Sequence, residues 1–158
     1  MAPEILLRPY ARADAAATRR VFLDAVTVTA SRDYRPEQVE AWTRSARRDL
    51  PGWHRARAEA TTTVAEVAGT VVGFSDVSAT GHIGMMFVHS DHSGRGVGRA
   101  LLAEDERLAR EAEAAELTSD VSITARPFFE RAGFAVVCEQ HPVLAGIALT
   151  NFRMRRPA

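Results

Sequence analysis

Residues 85–102 run Met-Met-Phe-Val, His-Ser-Asp-His-Ser, Gly-Arg-Gly-Val-Gly, Arg-Ala-Leu-Leu. This junction constrains the fold more than any other stretch. A strand enters a glycine-rich turn, and the turn opens a helix. The first N–H groups of a helix have no partner inside it, and they point outward at the positive end of the helix dipole. Glycines let a bound group approach that backbone without Cβ obstruction. Anion binding at the turn is the physical expectation, beside the plainer reading of a flexible turn that starts a helix. The spacing narrows the ligand. Gly94, Gly96 and Gly98 alternate, which is not the GxGxxG of dinucleotide folds. The P-loop is excluded because it needs a lysine, and all the basic residues here are arginine.

The absence of lysine also removes any Schiff-base or amine nucleophile. At 158 residues the chain fits one domain, read as 1–158, with a core that needs no staples. Twenty basic and twenty acidic residues cancel, which argues against a broad nucleic-acid footprint. No apolar run approaches a membrane span. The first residues lack the basic-then-apolar order of a secretory signal, so a cytoplasmic protein is expected. The lone Cys138 cannot form an internal disulfide, and its Val-Val-Cys context reads as a buried strand position.

Around the turn, the pattern predicts a strand over 5–8, stopped by Pro9, and a helix over 13–27 with Asp14 at its start. A polar joint over 31–36 leads into a second helix from Pro36 to Arg48, which Pro51 and Gly52 are expected to end. The β-branched runs 62–68 and 71–77 flank Gly69 as an antiparallel hairpin. A strand over 82–88, a helix over 97–114, a short strand over 120–124 and a short helix over 127–133 follow. Strands over 134–139 and 147–154 close the chain. The order βααβββαβαββ implies an α/β fold, with helices on the faces of a mixed sheet.

The turn resembles the acetyl-coenzyme A loop of the GNAT N-acetyltransferase superfamily, [QR]-x-x-G-x-[GA], laid on Ser93, Gly94, Arg95, Gly96, Val97 and Gly98. Residues 125–134 resemble the family's second signature, a short helix ending in Gly-Phe, and residues 149–154 resemble the last strand of a bacterial branch. The element order agrees over nearly the whole chain. The resemblance implies the GNAT acyl-CoA N-acyltransferase fold, with its fourth and fifth strands splayed to admit the thioester of acetyl-coenzyme A as co-substrate. It implies that the backbone at Phe87 and Val88 bonds the pantetheine arm and that main-chain N–H groups from Gly94 to Arg99 hold the pyrophosphate. Phe128 and Arg131 would flank the arm or the nucleotide. Three positions depart from the pattern. Ser93 replaces Gln or Arg but keeps its N–H. Thr124 stands where Asn is frequent, and Phe129 stands where many members carry a proton-donating tyrosine.

Acetyl transfer to an amine needs a neutral amine, an oriented thioester, and a base that acts directly or through water. Asp76 is in register with Phe74 and Ser78. It is either a base with a raised pKa or a hydrogen-bonded strand carboxylate. His82 is a second candidate base or a strand-end surface residue. Tyr34, on the joint, is a replacement acid or an aromatic lid. His82, His89 and His92 do not have the spacing of a metal site, so no metal is expected. Ser119 and Ser122 fall near the splay, but no GxSxG elbow is present. The expected activity is transfer of an acetyl group from acetyl-coenzyme A to a primary amine of a small molecule, with no nucleic-acid or membrane partner and a homodimer left open. The alternative is a coenzyme A-binding sensor or structural module with little transferase activity.

Overall fold

The computed structural model describes residues 2–158. Strand β1 (Ile5–Pro9) leads through a short turn into α1 (Ala15–Asp24). Asp14 fixes this corner: it accepts from the Ala11 N–H and from both terminal nitrogens of Arg8 at 2.7 and 2.8 Å. The Arg8 hydrogen bonds hold the Asp14 carboxyl below its ordinary pKa. Beyond α1 the chain stays helical as a wider π turn (Ala25–Thr29). Then come α2 (Pro36–Arg48) and α3 (Leu50–Glu59).

Helix α3 stands where a break was expected at Pro51 and Gly52. The Asp49 carboxylate accepts from the Gly52 N–H at 2.8 Å, and Pro51 occupies the first turn, where its missing N–H costs nothing. The signal that ends one helix here starts the next.

Strands β2 (Thr62–Val67), β3 (Thr70–Val77) and β4 (His82–Val88) form the expected meander. Helix α4 (Val97–Glu111) crosses to β5 (Glu116–Ser122), which begins four residues before the expected strand. Helix α5 (Arg126–Arg131) precedes β6 (Ala135–Gln140). A small hairpin, β7 (Val143–Leu144) and β8 (Ile147–Ala148), separates β6 from β9 (Asn151–Pro157). The single closing strand expected over 147–154 is therefore two elements. Gly146 at φ +78° makes the turn that divides the hairpin.

The seven-stranded sheet has the order β1-β2-β3-β4-β5-β9-β6, and β4–β5 is its parallel pair. One face carries α1 and α3, where Phe22, Trp53, Phe74 and Phe87 interlock with ring centroids 4.9–6.0 Å apart. The other carries α4, whose Val97, Leu101 and Leu102 pack on Ala65, Val72, Val77 and Ile83. Cys138 is exposed, contrary to expectation, because β6 is an edge strand with a register shift beside it. Its neighbours Val136 and Val137 are exposed as well.

Candidate active site

The site begins with a mismatch between two strands. β4 and β5 pair at His82–Thr118 and Ile83–Ser119, and no further pair follows. The Ser119 hydroxyl donates to the Ile83 carbonyl at 2.9 Å and closes the junction. Beyond it the strands diverge. Met85, Met86, Phe87 and Val88 are all only partly buried, and one edge of their backbone is left without a strand partner. This is the expected splay, and it opens on Phe87 and Val88.

The divergence starts at a bulge. Ser75 pairs with Met86 and Val77 with Ile83, so Asp76 alone opposes both Gly84 and Met85. Its Oδ1 accepts from the Gly84 N–H at 3.1 Å. A Cβ on Gly84 would sit 2.6 Å from that oxygen, so the carboxylate occupies the space a side chain would take. Gly84 itself is exposed, while Asp76 is 8% exposed. Burial pushes the Asp76 carboxyl above its ordinary pKa; Arg57, the Gly84 and Met85 N–H groups and His82 pull it back in part. His82 sits at the closed end of the gap, with Nδ1 2.9 Å from the Thr118 hydroxyl.

The glycine loop lies at the open end. The His89 N–H donates to Val72 O at 2.8 Å, and Asp24, the last residue of α1, holds Ser90 through its N–H at 2.6 Å and its hydroxyl at 3.0 Å. The chain then passes Ser93, Gly94 and Arg95, all exposed, into Gly96, which takes φ +89°. No side chain caps α4 there. The N–H groups of Val97, Gly98 and Arg99 thus fall at the uncapped end. The space around Gly94 is open, and a Cβ on Gly98 would come 3.3 Å from the Phe128 ring. Phe128 and Val88 therefore wall the same side of the loop. The donors and open space suit a pyrophosphate with a slender arm below it.

The other sequence candidates have different surroundings. Thr124 donates to Asp33 at 2.8 Å, which ties the start of α5 to the joint before α2. Arg131 is exposed at the end of α5. Phe129 is 4% exposed and packs edge-on against Phe128 and Phe134. Tyr34 is 6% exposed; its hydroxyl donates to Thr150 O at 2.5 Å and accepts from the Ile123 N–H at 3.0 Å. Burial raises its pKa. Tyr34 bridges the end of β5 to the segment before β9, and its ring meets Trp42 edge-on.

Three residues were missed in the sequence. Asp24 anchors the loop, Arg57 lies beside the bulge, and Asp105 of α4 accepts from the Ser75 hydroxyl at 3.0 Å beneath it. Arg57 belongs to the helix that the Pro-Gly pair concealed, and Asp105 lies within a run of charged residues on α4, Glu104 to Arg107, where nothing in the sequence marks it as buried. Among the described residues, no three potential metal ligands converge.

Residues 30–156 match the family model described as an acetyltransferase (GNAT) domain. The uncharacterized N-acetyltransferase YafP of Escherichia coli (strain K12) is 40% identical over 152 residues, spanning 96% of this chain and 95% of that protein. The crystal structure of a GCN5-related N-acetyltransferase (aminotransferase, class-II) from Rhodopseudomonas palustris matches at TM-score 0.95 and 33% identity. That match covers 100% of this chain and 99% of the other. The PaiA N-acetyltransferase of Thermoplasma acidophilum, solved in complex with coenzyme A, shares the fold at TM-score 0.75 and 17% identity, over 98% and 99% of the two chains.

Proposed function

The chain belongs to the GNAT acetyltransferase family, and on that premise we propose that residues 1–158 act as one domain that transfers an acetyl group from acetyl-coenzyme A to the primary amine of a small molecule. The observation that carries this reading is the gap itself. It has an uncapped, glycine-lined helix start at its open end and a buried carboxylate at its closed end. Coenzyme A bound to the fold relative from Thermoplasma acidophilum supports the same donor class.

Acetyl-coenzyme A supplies the activated thioester. Main-chain N–H groups from Gly94 to Arg99 hold the pyrophosphate, and the free backbone at Phe87 and Val88 orients the arm; the Ser93 N–H, expected to join them, donates instead to Ser90 O at 3.3 Å inside the turn. Phe128 walls the arm on one side, with Arg131 and Thr124 nearby on the α5 segment. The acceptor enters over the exposed Gly84. As the amine nitrogen bonds the acetyl carbon and the carbon–sulfur bond breaks, one amine proton leaves toward Asp76. Solvent returns a proton to the thiolate, because Phe129 has none to give. A raised pKa suits Asp76 to this base role. His82 is the second candidate, held on the same stretch of β4 by Thr118.

The test is release of free thiol from acetyl-coenzyme A across a panel of amines, beside calorimetric binding of coenzyme A. Amine-dependent release with tight binding supports the transferase. Binding without release from any amine would point instead to a coenzyme A-binding module.

A further inference from the structure

Arg57 is a buried cation without an acid. It is 7% exposed, on the inner side of α3. Among the described residues, no carboxylate forms a salt bridge with it, and its Nε has no hydrogen-bond partner. Its one side-chain hydrogen bond, Nη1 to the Met85 sulfur at 2.5 Å, goes to a thioether, a weak acceptor. The guanidinium lies 4.7 Å from the centroid of the Trp53 ring and 5.9 Å from that of Phe74. The aromatic faces hold its plane without using its donors. A charge buried this way is costly unless a partner arrives.

The place of that guanidinium is specific. Arg57 lines a cleft of about 260 Å³ with Tyr10, Arg12, His54 and Thr62. The Tyr10 hydroxyl and His54 Nδ1 bond each other at 2.9 Å along its wall, and Arg12 is exposed. Arg57 also touches Met85, one of the two residues in the β4 bulge, and Asp76 is the carboxylate across that bulge. Arg57 and Asp76 are too far apart to pair, yet each favours the other's charged form.

We propose that Arg57 receives an anionic group of the acceptor, and that the acceptor is a small amine bearing a carboxylate. The inference rests on the transferase reading above and names its substrate class. A planar guanidinium fork matches a carboxylate in a bidentate pair, and one buried cation balances one carboxylate charge. With the carboxylate at Arg57, the amine of a short zwitterion lies toward Asp76 and the gap. The ligand's carboxylate then meets a cation that has no salt-bridge partner, and its amine nitrogen faces the carboxylate proposed to take its proton. Arg57 positions the acceptor; the proton goes elsewhere.

The experiment compares matched acceptors, amino acids against the amines left by removing their carboxylate, in thiol-release assays with the wild-type protein. The expected result is a kcat/KM at least about tenfold higher for the carboxylate-bearing member of the best pair. Arg57→Met is expected to raise KM for that member by about 10–100-fold with coenzyme A affinity retained; kcat falls less, and recovers at higher pH, because Asp76 loses a charge that favours its ionised form. Arg57→Lys recovers part of the loss, since it restores charge without the fork. Equal use of both members by the wild type overturns the proposal. A second readout needs neither turnover nor a folded variant: calorimetric titration of N-acetyl amino acids, against their decarboxylated acetamides, into the coenzyme A-loaded wild-type protein. Binding of the acids alone supports the Arg57 assignment even where no amine releases thiol, and that outcome would count against the transferase reading only. Binding of neither or of both equally removes the assignment.

Discussion

The Asp76 carboxylate accepts the Gly84 N–H at 3.1 Å across the β4 bulge, in the space that any larger residue at 84 would fill. The contact links the shape of the gap to its chemistry. The same oxygen that anchors the strand where it leaves its neighbour is the acceptor closest to the exposed glycine. Asp76→Asn keeps the shape and removes the base. It should lower kcat by roughly 10²–10⁴-fold at neutral pH, with partial recovery at high pH, and leave acetyl-coenzyme A affinity unchanged. Because burial raises the Asp76 pKa, the wild-type rate should climb with pH through an elevated ionisation that the Asn variant lacks. Near-wild-type turnover with a good amine would leave Asp76 as a strand clamp only, and His82→Ala becomes the next variant to measure.

Gly84→Ala tests the other half of that contact. The added methyl would collide with Asp76 Oδ1, and the short aspartate side chain must swing away. We expect a fall in kcat larger than any change in coenzyme A affinity, because the glycine loop lies at the far end of the strand. Equal losses in both, measured by steady-state kinetics and calorimetry, would show that the bulge shapes the cofactor end as well.

Local patterns made the elements around the proposed cofactor loop readable. A strand, a glycine turn and a helix are consecutive in the chain, so Phe87 to Arg99 could be read as one unit. The proposed acceptor side depends on distant pairings. Arg57 meets Met85 across 28 residues, and Asp24 reaches Ser90 across 66. No periodicity reports such contacts. The Pro51-Gly52 pair misled because a helix stop and a helix start use the same residues, and the capping Asp49 decides between them. Cys138 misled for a related reason. Alternating or continuous apolar residues indicate a strand but not its place in the sheet, and an edge strand leaves its valines in water.

Gly96 starts α4 at φ +89°, where a β-branched residue is strained, while the nearest atom to an added Cβ is 3.9 Å away. The penalty of Gly96→Val is therefore conformational. The loop should relax to a negative φ and turn its N–H groups away from the pyrophosphate. Acetyl-coenzyme A binding should weaken by at least about tenfold in calorimetry, with a folded protein by circular dichroism. Unchanged affinity on a folded variant would remove the loop assignment.

Tyr34→Phe separates an acid from a brace. The hydroxyl already serves the Ile123 N–H and Thr150 O, and removing it leaves both backbone groups short of a partner inside a largely buried site. The expected loss of stability is about 1–3 kcal/mol by denaturant titration. The shape of the pH–rate curve should stay as it is. A lost basic limb in the Phe variant would instead make Tyr34 the group that protonates the departing thiolate.

Asp105 has no solvent exposure, one oxygen bonded to the Ser75 hydroxyl and the other without a partner. Burial pushes its pKa up to about 8, with Asp76 and Glu104 adding to the rise and Ser75 opposing it. In the unfolded chain an aspartate titrates near ~4. Between those values the unfolded state has released the proton and the native state has kept it. The native state binds more protons, so stability falls as pH rises through this window and levels off above about 8. Asp105→Asn keeps a neutral amide beside Ser75 and removes the titration. Its melting temperature should exceed that of the wild type by a margin that widens from pH 5 to pH 8, read by calorimetry at matched ionic strength. Parallel profiles for the two proteins would mean that Asp105 ionises at an ordinary pKa, which would require water to reach the interface between α4 and β3.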